Sequence, residues 1–425
     1  MQPKLSVENL YKIFGKHPAA AMRMLREGAG KAEILAQTGA TVGVRDASFA
    51  VEEGEIFVVM GLSGSGKSTL VRMLNGLIAP SAGRILIDGE DVAAASPADL
   101  RRIRRDKIAM VFQHFALFPH WSIAENVAYG LKVRGIPVPQ RRARALEVLE
   151  QVGLAPWADA RPADLSGGMQ QRVGLARGLA ADPDILLMDE PFGALDPLIR
   201  RDMQMELLTL QKTLKKTIVF ITHDLNEALL LGNRIAIMKD GEIVQTGTAQ
   251  QIVTSPADDY VAAFVADIDR GRVFTVDDVS SEALTVPLRD TSVRQALRLM
   301  EARGTQALYV MDGPRPVGVV TYRDLAASEM DDTTPAPTLS GALITDFPTT
   351  NTDTALHELY GPAGEGLPIA VTDERDRLLA VVEPGDVLAH LSGGGNGRED
   401  DDAPPPEPHA IPRNDNKEGA DVQPR

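Results

Sequence analysis

The sequence predicts an α/β fold for most of the chain, followed by a smaller α+β region. Three observations predict this division. Short apolar segments rich in β-branched residues alternate with helix-like segments over about residues 4–265. One apolar segment runs directly into a glycine-rich turn and then a helix. Beyond Asp269 a shorter pattern, a helix followed by two strands, occurs twice.

The composition is that of a globular protein and argues against several classes of function. The chain has 425 residues, a formal net charge of −15 and no cysteine. A negative balance argues against a nucleic-acid partner, and the lack of cysteine excludes disulfides and thiolate metal sites. The amino terminus lacks a signal-peptide core, and no run of about 18 apolar residues occurs. Any membrane role is therefore expected to come through a partner.

Three apolar segments are expected to be buried strands, because β-branched and other apolar residues fill them. These are Ile56–Met60, Ile185–Met188 and Ile218–Ile221. A hairpin is expected at Arg234–Met238 and Glu242–Gln245, since the intervening Asp240-Gly241 tolerates positive φ angles. Two short helices, Ala19–Arg26 and Lys31–Gln37, are predicted in an insertion with a packing or partner-binding role.

The carboxyl-terminal region is predicted to contain an internal duplication. The expected helix and two strands are Val293–Met300, Ala307–Met311 and Val317–Val320 in the first repeat, and Thr354–Tyr360, Pro368–Val371 and Leu378–Val382 in the second. Leu297 and Asp324 are as far apart as Leu359 and Asp386. We therefore expect domains at 1–268, 272–330 and 337–392, and a disordered acidic and proline-rich tail at 393–425.

A phosphate-binding loop is the most specific motif in the chain. The segment GLSGSGKST matches the pattern G-x-x-x-x-G-K-[ST], follows an apolar strand and opens a helix. Backbone N–H groups and the helix N-terminus would cradle phosphates, Lys67 would reach the β- and γ-phosphates, and Ser68 would ligate Mg²⁺. The predicted nucleotide-binding residues of this loop are Gly61, Ser63, Gly64, Ser65, Gly66, Lys67, Ser68 and Thr69.

Two carboxylates and a second glycine-rich turn extend this prediction. Asp189 and Glu190 end an apolar strand, so Asp189 would hold Mg²⁺ and Glu190 would polarise the attacking water. Ser166, Gly167 and Gly168 open a helix and form a second anion-binding N-terminus. One site needs only one phosphate cradle, so the second is expected to serve a nucleotide held by another copy.

Together these motifs resemble those of ATP-binding-cassette (ABC) ATPases. LSGGMQQR, from Leu165 to Arg172, resembles their signature, which would include Gln170. The resemblance implies a Q-loop glutamine at Gln113 that also contacts the metal ion, a D-loop at Asp196, a switch histidine at His223 and an adenine-stacking aromatic at Phe14, with Tyr11 as a competitor. It implies a RecA-like core with antiparallel-β and helical subdomains, Mg-ATP as cofactor and a head-to-tail homodimer.

A narrower resemblance is to ATP-binding subunits of glycine betaine/proline importers. It rests on NLYKIFG with the following insertion, on DILLMDEPFGALDPLIR, and on the two repeats, which resemble a tandem CBS module. It implies permease subunits that contact the aromatic segment Val111–Trp121, a substrate-binding protein, and a place on the cytoplasmic face of the membrane. A soluble ABC ATPase for DNA repair or ribosome work is the alternative, as is an importer of another small solute.

The CBS resemblance implies one nucleotide-binding cleft at most. Gly318, Thr321 and Asp324 fit the pattern G-x-x-[ST]-x-x-D, whereas the second repeat retains only Asp386 and has Glu383 where a hydroxyl is expected. A purely structural or dimerising module is the alternative. The family's osmotic regulation, by ionic strength, anionic lipid or a regulatory nucleotide, is expected to act through this module.

Overall fold

The computed structural model describes residues 3–113, 115–330 and 338–391. The disordered tail expected at 393–425 lies outside the described residues. The chain divides into two compact units: the first runs to Asp278 and includes Asn351–Leu359, and the second comprises Val279–Thr350 and the chain from Tyr360. The domain limits expected from the sequence stay predictions.

The first unit contains two β-sheets. Numbered in chain order, its strands are β1 (Leu5–Phe14), β2 (Thr41–Val51), β3 (Ile56–Met60), β4 (Ala82–Ile87), β5 (Glu90–Asp91), β6 (Ile108–Phe112), β7 (Ile185–Asp189), β8 (Thr217–Thr222), β9 (Arg234–Lys239) and β10 (Glu242–Gly247). The larger sheet has the order β10-β9-β3-β8-β7-β6 and is parallel apart from the β9–β10 hairpin. The smaller sheet, β2-β1-β4-β5, is antiparallel.

Helices cover and connect these sheets. They are α1 (Pro18–Arg26), α2 (Lys31–Thr38), α3 (Lys67–Leu74), α4 (Pro97–Asp106), α5 (Ile123–Val127), α6 (Tyr129–Val133), α7 (Val138–Gln151), α8 (Gly167–Ala180), α9 (Pro197–Leu214), α10 (Leu225–Leu231), α11 (Ala249–Thr254), α12 (Asp259–Val265) and, at the unit boundary, α13 (Val276–Val279). Helix α3 packs against β2, β7 and β8, whereas α8 packs against α5, α6 and α7.

The main hydrophobic core lies between the two sheets and around α3. It includes Val44 of β2, Phe57 of β3, Leu70 of α3, Ile85 of β4 and Val219 of β8, all fully or almost fully buried. All five residues of β3 are buried, as expected for a central parallel strand. Burial of apolar area on both faces of the sheet fixes the register of the strands that carry the polar site.

The predicted insertion forms α1 and α2, which pack on the end of the smaller sheet. Ala21, Leu25 and Ile34 of these helices are buried with Ile13 and Val42 in a cluster of their own. Helix α2 ends at Gly39, whose φ of +66° is the left-handed conformation that terminates helices without strain in glycine. The insertion thus has its own small core.

The second unit contains two three-stranded sheets with the same topology. The strands are β11 (Thr285–Pro287), β12 (Ala307–Asp312) and β13 (Arg315–Thr321) in one sheet, and β14 (Thr349–Thr350), β15 (Ile369–Thr372) and β16 (Leu378–Val382) in the other. In each sheet a parallel pair is followed by an antiparallel hairpin. The helices are α14 (Val293–Arg303), α15 (Tyr322–Met330), α16 (Tyr360–Ala363) and α17 (Pro384–Leu391).

The helix expected at Thr354–Tyr360 is wrong. The structure has a 3₁₀ turn at Leu356–Leu359, and only the four residues of α16 follow it as α-helix. The preceding backbone is used elsewhere: the Val276 N–H donates to the Thr354 carbonyl (2.9 Å) and the Leu356 N–H donates to the Phe274 carbonyl (2.9 Å). These bonds hold Asn351–Leu359 in the first unit.

Within the described ranges, no helix is long and apolar enough to cross a bilayer.

Candidate nucleotide-binding site

The predicted catalytic residues meet because four parallel strands end at one edge of the larger sheet. Met60 of β3 pairs with Thr222 of β8, and Asp189 of β7 pairs with Ile221 of β8 and Phe112 of β6. Each of these four strands is followed directly by a predicted site residue or loop. These are the phosphate loop after β3, Gln113 after β6, Glu190 after β7 and His223 after β8. Ligands of open α/β sheets bind at the carboxyl ends of the strands, so this edge is the expected position for a nucleotide.

The glycines of the phosphate loop are required by backbone geometry. Gly61, Gly64 and Gly66 have φ angles of +152°, +81° and +108°. A Cβ on Gly61 would stand 2.2 Å from the Met238 carbonyl oxygen, and one on Gly66 would stand 2.4 Å from that of Gly43. A side chain at either position would collide with backbone. The loop is therefore built for close approach between its own N–H groups and a ligand.

Lys67 is the buried cation of this loop, with only 4% of its surface exposed. Its ammonium donates to the carbonyl oxygens of Gly61 (2.8 Å) and Leu62 (3.1 Å). Burial lowers the pKa of Lys67, and the carboxylates of Glu190 and Asp189 oppose that shift. An ammonium held this way is ready to exchange carbonyl partners for phosphate oxygens.

Polar groups around the loop also fit a nucleotide. The Ser65 hydroxyl is buried and has no hydrogen-bond partner among the residues that the structure describes. Ser63 and Gly64 are exposed in the loop, and Thr69 lies in the first turn of α3. A buried hydroxyl without a partner is costly, so this arrangement indicates a ligand that completes the loop.

Oxygen atoms suited to Mg²⁺ lie next to the loop. The Ser68 hydroxyl donates to Asp189 Oδ1 at 3.2 Å. Burial raises the pKa of Asp189, and the hydrogen bond from Ser68 opposes this shift. Throughout residues 3–113, 115–330 and 338–391, no group of three or more His, Cys, Asp or Glu side chains could hold a metal ion. The donor set therefore fits a metal that also takes water and phosphate oxygens, as Mg²⁺ does.

Glu190 and His223 are in direct contact. His223 Nδ1 lies 3.0 Å from Glu190 Oε2, and the Glu190 N–H donates to the Ile221 carbonyl at 3.0 Å. Glu190 has a φ of +48°, a conformation that costs a non-glycine residue about 1–3 kcal/mol. Such strain at a polar residue at the end of a sheet is typical of active sites. The residue with this strained backbone thus carries the carboxylate that contacts His223.

Gln113 lies close to the same carboxylate. A Cβ on Gly193 would stand 3.5 Å from Gln113 Nε2 and 3.9 Å from Glu190 Oε2, so both side chains face this glycine. Arg177 of α8 fixes the backbone just beyond Gln113 by donating to the carbonyl oxygens of Phe115 (3.1 Å) and Ala116 (2.6 Å). The position of Gln113 is thus linked to the helical layer.

Phe14 is the aromatic side chain available to a base. It ends β1, is 40% exposed, and has the Lys12 ammonium 5.1 Å from its ring centre. A Cβ on Gly43 would stand 2.8 Å from Phe14 Cε2 and 3.4 Å from Thr69 Cγ2, so the ring borders the first turn of α3. Tyr11, the competing aromatic, instead packs on the α1–α2 cluster.

The second cradle lies on a different layer of the first unit. Ser166 caps α8 by accepting from the Met169 N–H (3.4 Å), and Gln170 Nε2 donates to the Leu165 carbonyl (3.1 Å). Ser166 and Gly167 are exposed, whereas Gly168 is buried. Asp196 caps α9 by accepting from the Ile199 N–H (3.1 Å). Helix α3 packs on the sheets, whereas α8 packs among helices α5–α7. The two phosphate cradles, at the starts of α3 and α8, therefore lie on separate surfaces of the first unit.

Comparison with known proteins decides the family. The ABC transporter model matches residues 44–193, and the CBS domain model matches residues 276–331. The glycine betaine/proline betaine transport ATP-binding protein ProV of Salmonella typhimurium is 48% identical over 93% of this chain and 100% of its own. GbuA of Listeria monocytogenes, a glycine betaine/carnitine transport ATP-binding protein, is 49% identical over 92% of this chain and 98% of its own.

This chain belongs to the ATP-binding subunits of ABC transporters, in the glycine betaine importer family. The solved structure of CbiO1 from Clostridium perfringens, part of the ABC transporter complex CbiONQ, agrees with the fold: it covers 60% of this chain and 93% of that chain at 27% identity, with a TM-score of 0.51. The expected fold class, an ABC ATPase followed by CBS sequence, is confirmed. So is the expected activity, ATP hydrolysis coupled to import.

The ABC subunit also carries an aromatic cluster beyond Gln113. The ring centre of Trp121 lies 4.5 Å from that of Phe118 and 5.9 Å from that of Tyr129, and the Lys132 ammonium stands 4.5 Å from the Trp121 ring. Tyr129 and Val133 remain 38% and 59% exposed. Trp121 and Lys132 line a cavity of about 210 Å³. Phe118 and Trp121 of this aromatic cluster belong to the segment Val111–Trp121 predicted to contact a permease, whereas Tyr129 and Lys132 lie beyond it.

The four candidate residues of the second unit do not line the cavity of that unit described below. The Thr321 hydroxyl donates to Asp324 Oδ2 (2.6 Å), and a Cβ on Gly318 would stand 2.5 Å from Leu343 Cδ1. Asp386 donates its N–H to the Glu383 carbonyl (3.0 Å). A cavity of about 120 Å³ in this unit is lined by other residues, which are Ser281, Glu282, Leu284, Thr305, Ala307, Tyr309, Pro368, Val381 and Glu383. Burial raises the pKa of Glu383 there.

Several polar residues around His223 were not singled out by the sequence. Glu227, Gln204 and Thr222 are all buried, and the Glu227 carboxylate accepts hydrogen bonds from both Gln204 and Thr222. Glu227 follows Asp224, the N-cap residue of α10, by three positions, the spacing of a capping box that marks a helix start. That spacing was a usable signal, but the contact with Gln204 of α9 depends on tertiary packing.

Proposed function

We propose that this chain is the energy-coupling ATPase of an importer for glycine betaine-type quaternary amines, with proline or choline as further members of the class. The supporting observation is the extent of the similarity: the glycine betaine transport proteins of Salmonella and Listeria align over 93% and 92% of this chain, which takes in both units. A soluble ABC ATPase would share only the first unit. An importer for another small solute remains the alternative.

Mg-ATP would be held at the carboxyl edge of the larger sheet. Ser68, Asp189 and Gln113 would hold Mg²⁺, which supplies charge neutralisation to the β- and γ-phosphates. Lys67 would bind the same phosphates, and Phe14 would stack on adenine. Glu190 would accept a hydrogen bond from the attacking water and orient it for in-line attack on the γ-phosphorus.

His223 would hold the γ-phosphate side of this arrangement together. Its contact with Glu190 at 3.0 Å would keep the carboxylate turned towards the attacking water. The oxygen of the water would bond to the γ-phosphorus as the phosphorus–oxygen bond to ADP breaks, and the proton of the water would pass to Glu190 and from there to the released phosphate. ADP and inorganic phosphate are the products.

The working form would be a head-to-tail homodimer. Ser166 and Gly167 are exposed on α8, and Asp196 is exposed at the start of α9. An exposed helix N-terminus with two glycines is suited to phosphate. Ser166, Gly167, Gly168 and Gln170 of one copy would therefore close over the nucleotide bound at Lys67 of the other.

The membrane partner would be a permease seated on the aromatic cluster. Partly exposed aromatic side chains beside a cavity are suited to a short amphipathic helix. Gln113 precedes this cluster in sequence. A movement of helices α5–α8, driven by the permease, would therefore be transmitted to the glutamine proposed to bind the metal ion. The chain would lie peripherally on the cytoplasmic face, and a substrate-binding protein would act through the permease alone.

The second unit would regulate the ATPase. A regulatory nucleotide at Gly318, Thr321, Asp324 or Asp386, or anionic lipid, is the proposed signal. A structural role alone is the second candidate, since Thr321 and Asp324 already bond to each other. Binding of nucleotides to the full chain with Asp324→Ala as comparison distinguishes the two.

Uptake by the assembled complex tests the substrate class. The chain, its permease and its binding protein are reconstituted in vesicles with internal or external ATP as orientation requires, and labelled glycine betaine, choline and proline are supplied at several salt concentrations. We expect ATP-dependent uptake of at least glycine betaine, which Glu190→Gln abolishes. A complex that hydrolyses ATP but accumulates none of these solutes would exclude the proposed class.

A further inference from the structure

A buried carboxylate lies one turn beyond the switch histidine and has no part in the chemistry described so far. Glu227 of α10 is 4% exposed. Its Oε2 accepts from the Thr222 hydroxyl at 2.6 Å, and its Oε1 accepts from Gln204 Nε2 at 3.1 Å. Burial of a carboxylate is unfavourable even when it is well hydrogen-bonded, so stability alone gives little reason to have one here.

The partners of Glu227 hold the backbone on both sides of His223. Thr222 is the last residue of β8 and directly precedes His223. Its hydroxyl donates to Glu227 and, with its lone pairs, accepts from the Asp224 N–H at 2.9 Å. One hydroxyl thus ties the residue before His223 to the residue after it. The short loop that presents the imidazole has little freedom left once this hydroxyl is in place.

The other end of the network reaches the start of α9. Gln204 belongs to α9, and Arg200 on the same helix donates from Nη2 to the Leu195 carbonyl at 3.2 Å. The Arg200 guanidinium also lies 3.5 Å from Asp224 Oδ2 and 3.9 Å from Glu227 Oε1. Leu195 lies five residues after Glu190 and directly precedes Asp196, so the same few side chains contact the loop of His223 and the segment that follows Glu190 in the chain.

We infer that Glu227 is a positioning residue for ATP hydrolysis, which acts through Thr222 to hold His223 against Glu190. Gln204 and Arg200 orient the Glu227 carboxylate from α9. None of these side chains is among the residues proposed above to bind the nucleotide or the attacking water. Their removal frees the loop at His223 and lengthens the contact between His223 Nδ1 and Glu190 Oε2.

A matched pair at Thr222 tests this without disturbing packing. Thr222→Ser keeps the hydroxyl, whereas Thr222→Val keeps the shape and removes it. In the full chain assembled with its permease, we expect Thr222→Ser to retain kcat within about twofold. Thr222→Val should lower kcat about tenfold or more with the ATP dissociation constant within about twofold, the pattern of an interaction needed only for turnover.

Variants of Glu227 supply the second measurement. Glu227→Gln can still accept from Thr222 through its amide oxygen, so it should recover most of the kcat that Glu227→Ala loses. Glu206→Ala is the comparison for stability, because Glu206 is a half-buried glutamate that lies on α9 and pairs with Arg172 at 3.1 Å. It should lower the melting temperature with a much smaller loss of kcat.

Two results would overturn the inference. One is equal kcat for Thr222→Val and Thr222→Ser. The other is a loss of kcat in Glu227→Ala that Glu206→Ala reproduces at the same loss of melting temperature. If Glu227→Ala fails to fold, the pair at Thr222 and the Glu227→Gln variant decide the question alone.

Discussion

Glu190 Oε2 and His223 Nδ1 lie 3.0 Å apart at the ends of two adjacent parallel strands, β7 and β8. The contact joins a carboxylate in a strained backbone conformation to an imidazole on a loop tied down from both sides. Local backbone strain is therefore found at one member of this pair, Glu190. Changes to either residue should affect turnover more than nucleotide binding.

Replacement of the carboxylate tests the role of this pair. Glu190→Gln keeps size and a hydrogen-bonding oxygen but cannot draw a proton from water. We expect phosphate release to fall by about 10²–10⁴-fold, while ATP still binds and accumulates in a dimer. Phosphate release and size-exclusion chromatography with ATP are the measurements. The exposed Glu53→Gln is the control, and normal turnover in Glu190→Gln would refute the catalytic assignment.

The phosphate loop should tolerate alanine unequally at two glycines. A Cβ on Gly66 would meet the Gly43 carbonyl oxygen at 2.4 Å, whereas one on Gly64 would meet nothing within 4 Å. Both positions have positive φ, so each substitution carries about 1–2 kcal/mol of backbone strain. Gly66→Ala should abolish ATP binding measured by calorimetry, and Gly64→Ala should weaken it. The reverse order would contradict the described loop geometry.

The Asp189 carboxylate is expected to lower the stability of the nucleotide-free protein while being needed for turnover. Its folded-state pKa is raised by burial, so its contribution to stability is present below the unfolded pKa and is lost as pH rises through the folded value. At neutral pH, Asp189→Asn should therefore melt above the wild type without nucleotide or metal, while turnover falls about a hundredfold or more.

The difference in melting temperature between Asp189→Asn and the wild type should become smaller on acidification. Below about pH 4, where an unfolded aspartate is protonated, the wild type no longer carries the buried charge. Thermal unfolding in chelator across a pH series measures this, with the exposed Asp267→Asn as the comparison. A gap that is constant with pH, or a less stable Asp189→Asn, would show that burial of this charge has no energetic consequence.

A mixture of two inactive variants should recover activity if the site is shared between copies. Lys67→Ala removes the phosphate cation, and Ser166→Arg blocks the second cradle. A mixed dimer has one intact composite site, so an equal mixture assembled with the permease should approach about a quarter of wild-type turnover. Each variant alone should be nearly inactive. Activity of the mixture no greater than the mean of the two separate variants would mean that each chain hydrolyses ATP by itself.

The two tryptophans of the chain provide a test of the permease contact. Trp121 belongs to the aromatic cluster, whereas Trp157 is 42% exposed outside it. Trp121→Ala should reduce co-purification of the permease about tenfold or more, as loss of a central aromatic at an interface does, and leave ATP binding intact. Trp157→Ala should retain the permease. Equal retention by both variants would place the contact elsewhere.

The sequence was sufficient where the chemistry is local. The phosphate loop, the acids after β7 and the hairpin at Asp240-Gly241 depend on neighbours in sequence, and each lies where it was predicted. The β3 strand was recognisable because all of its residues are buried, which leaves an uninterrupted apolar run. Periodicity and turn residues carry this information without any long-range contact.

Long-range contacts explain what the sequence did not reveal. The left-handed conformation of Glu190 is held by the Ile221 carbonyl on the neighbouring strand. The contact of Glu227 with Gln204 joins two residues that are 23 positions apart and lie on different helices. The helix expected at Thr354–Tyr360 yields to backbone bonds with Phe274 and Val276, residues far earlier in the chain. No local pattern encodes such partners.

The course of the chain bears on how the protein is made. It leaves the first unit after Asp278, returns at Asn351 and leaves again after Leu359. Leu356 and Leu359, which are 0% and 2% exposed, are therefore synthesised well after the last strand of the ATPase. At about 5–20 residues per second, a ribosome needs about 4–16 seconds to add the chain between Asp278 and Leu359. During that interval the Phe274 carbonyl and the Val276 N–H still lack the partners that Leu356 and Thr354 later supply, so the first unit is completed only when this downstream sequence has been made.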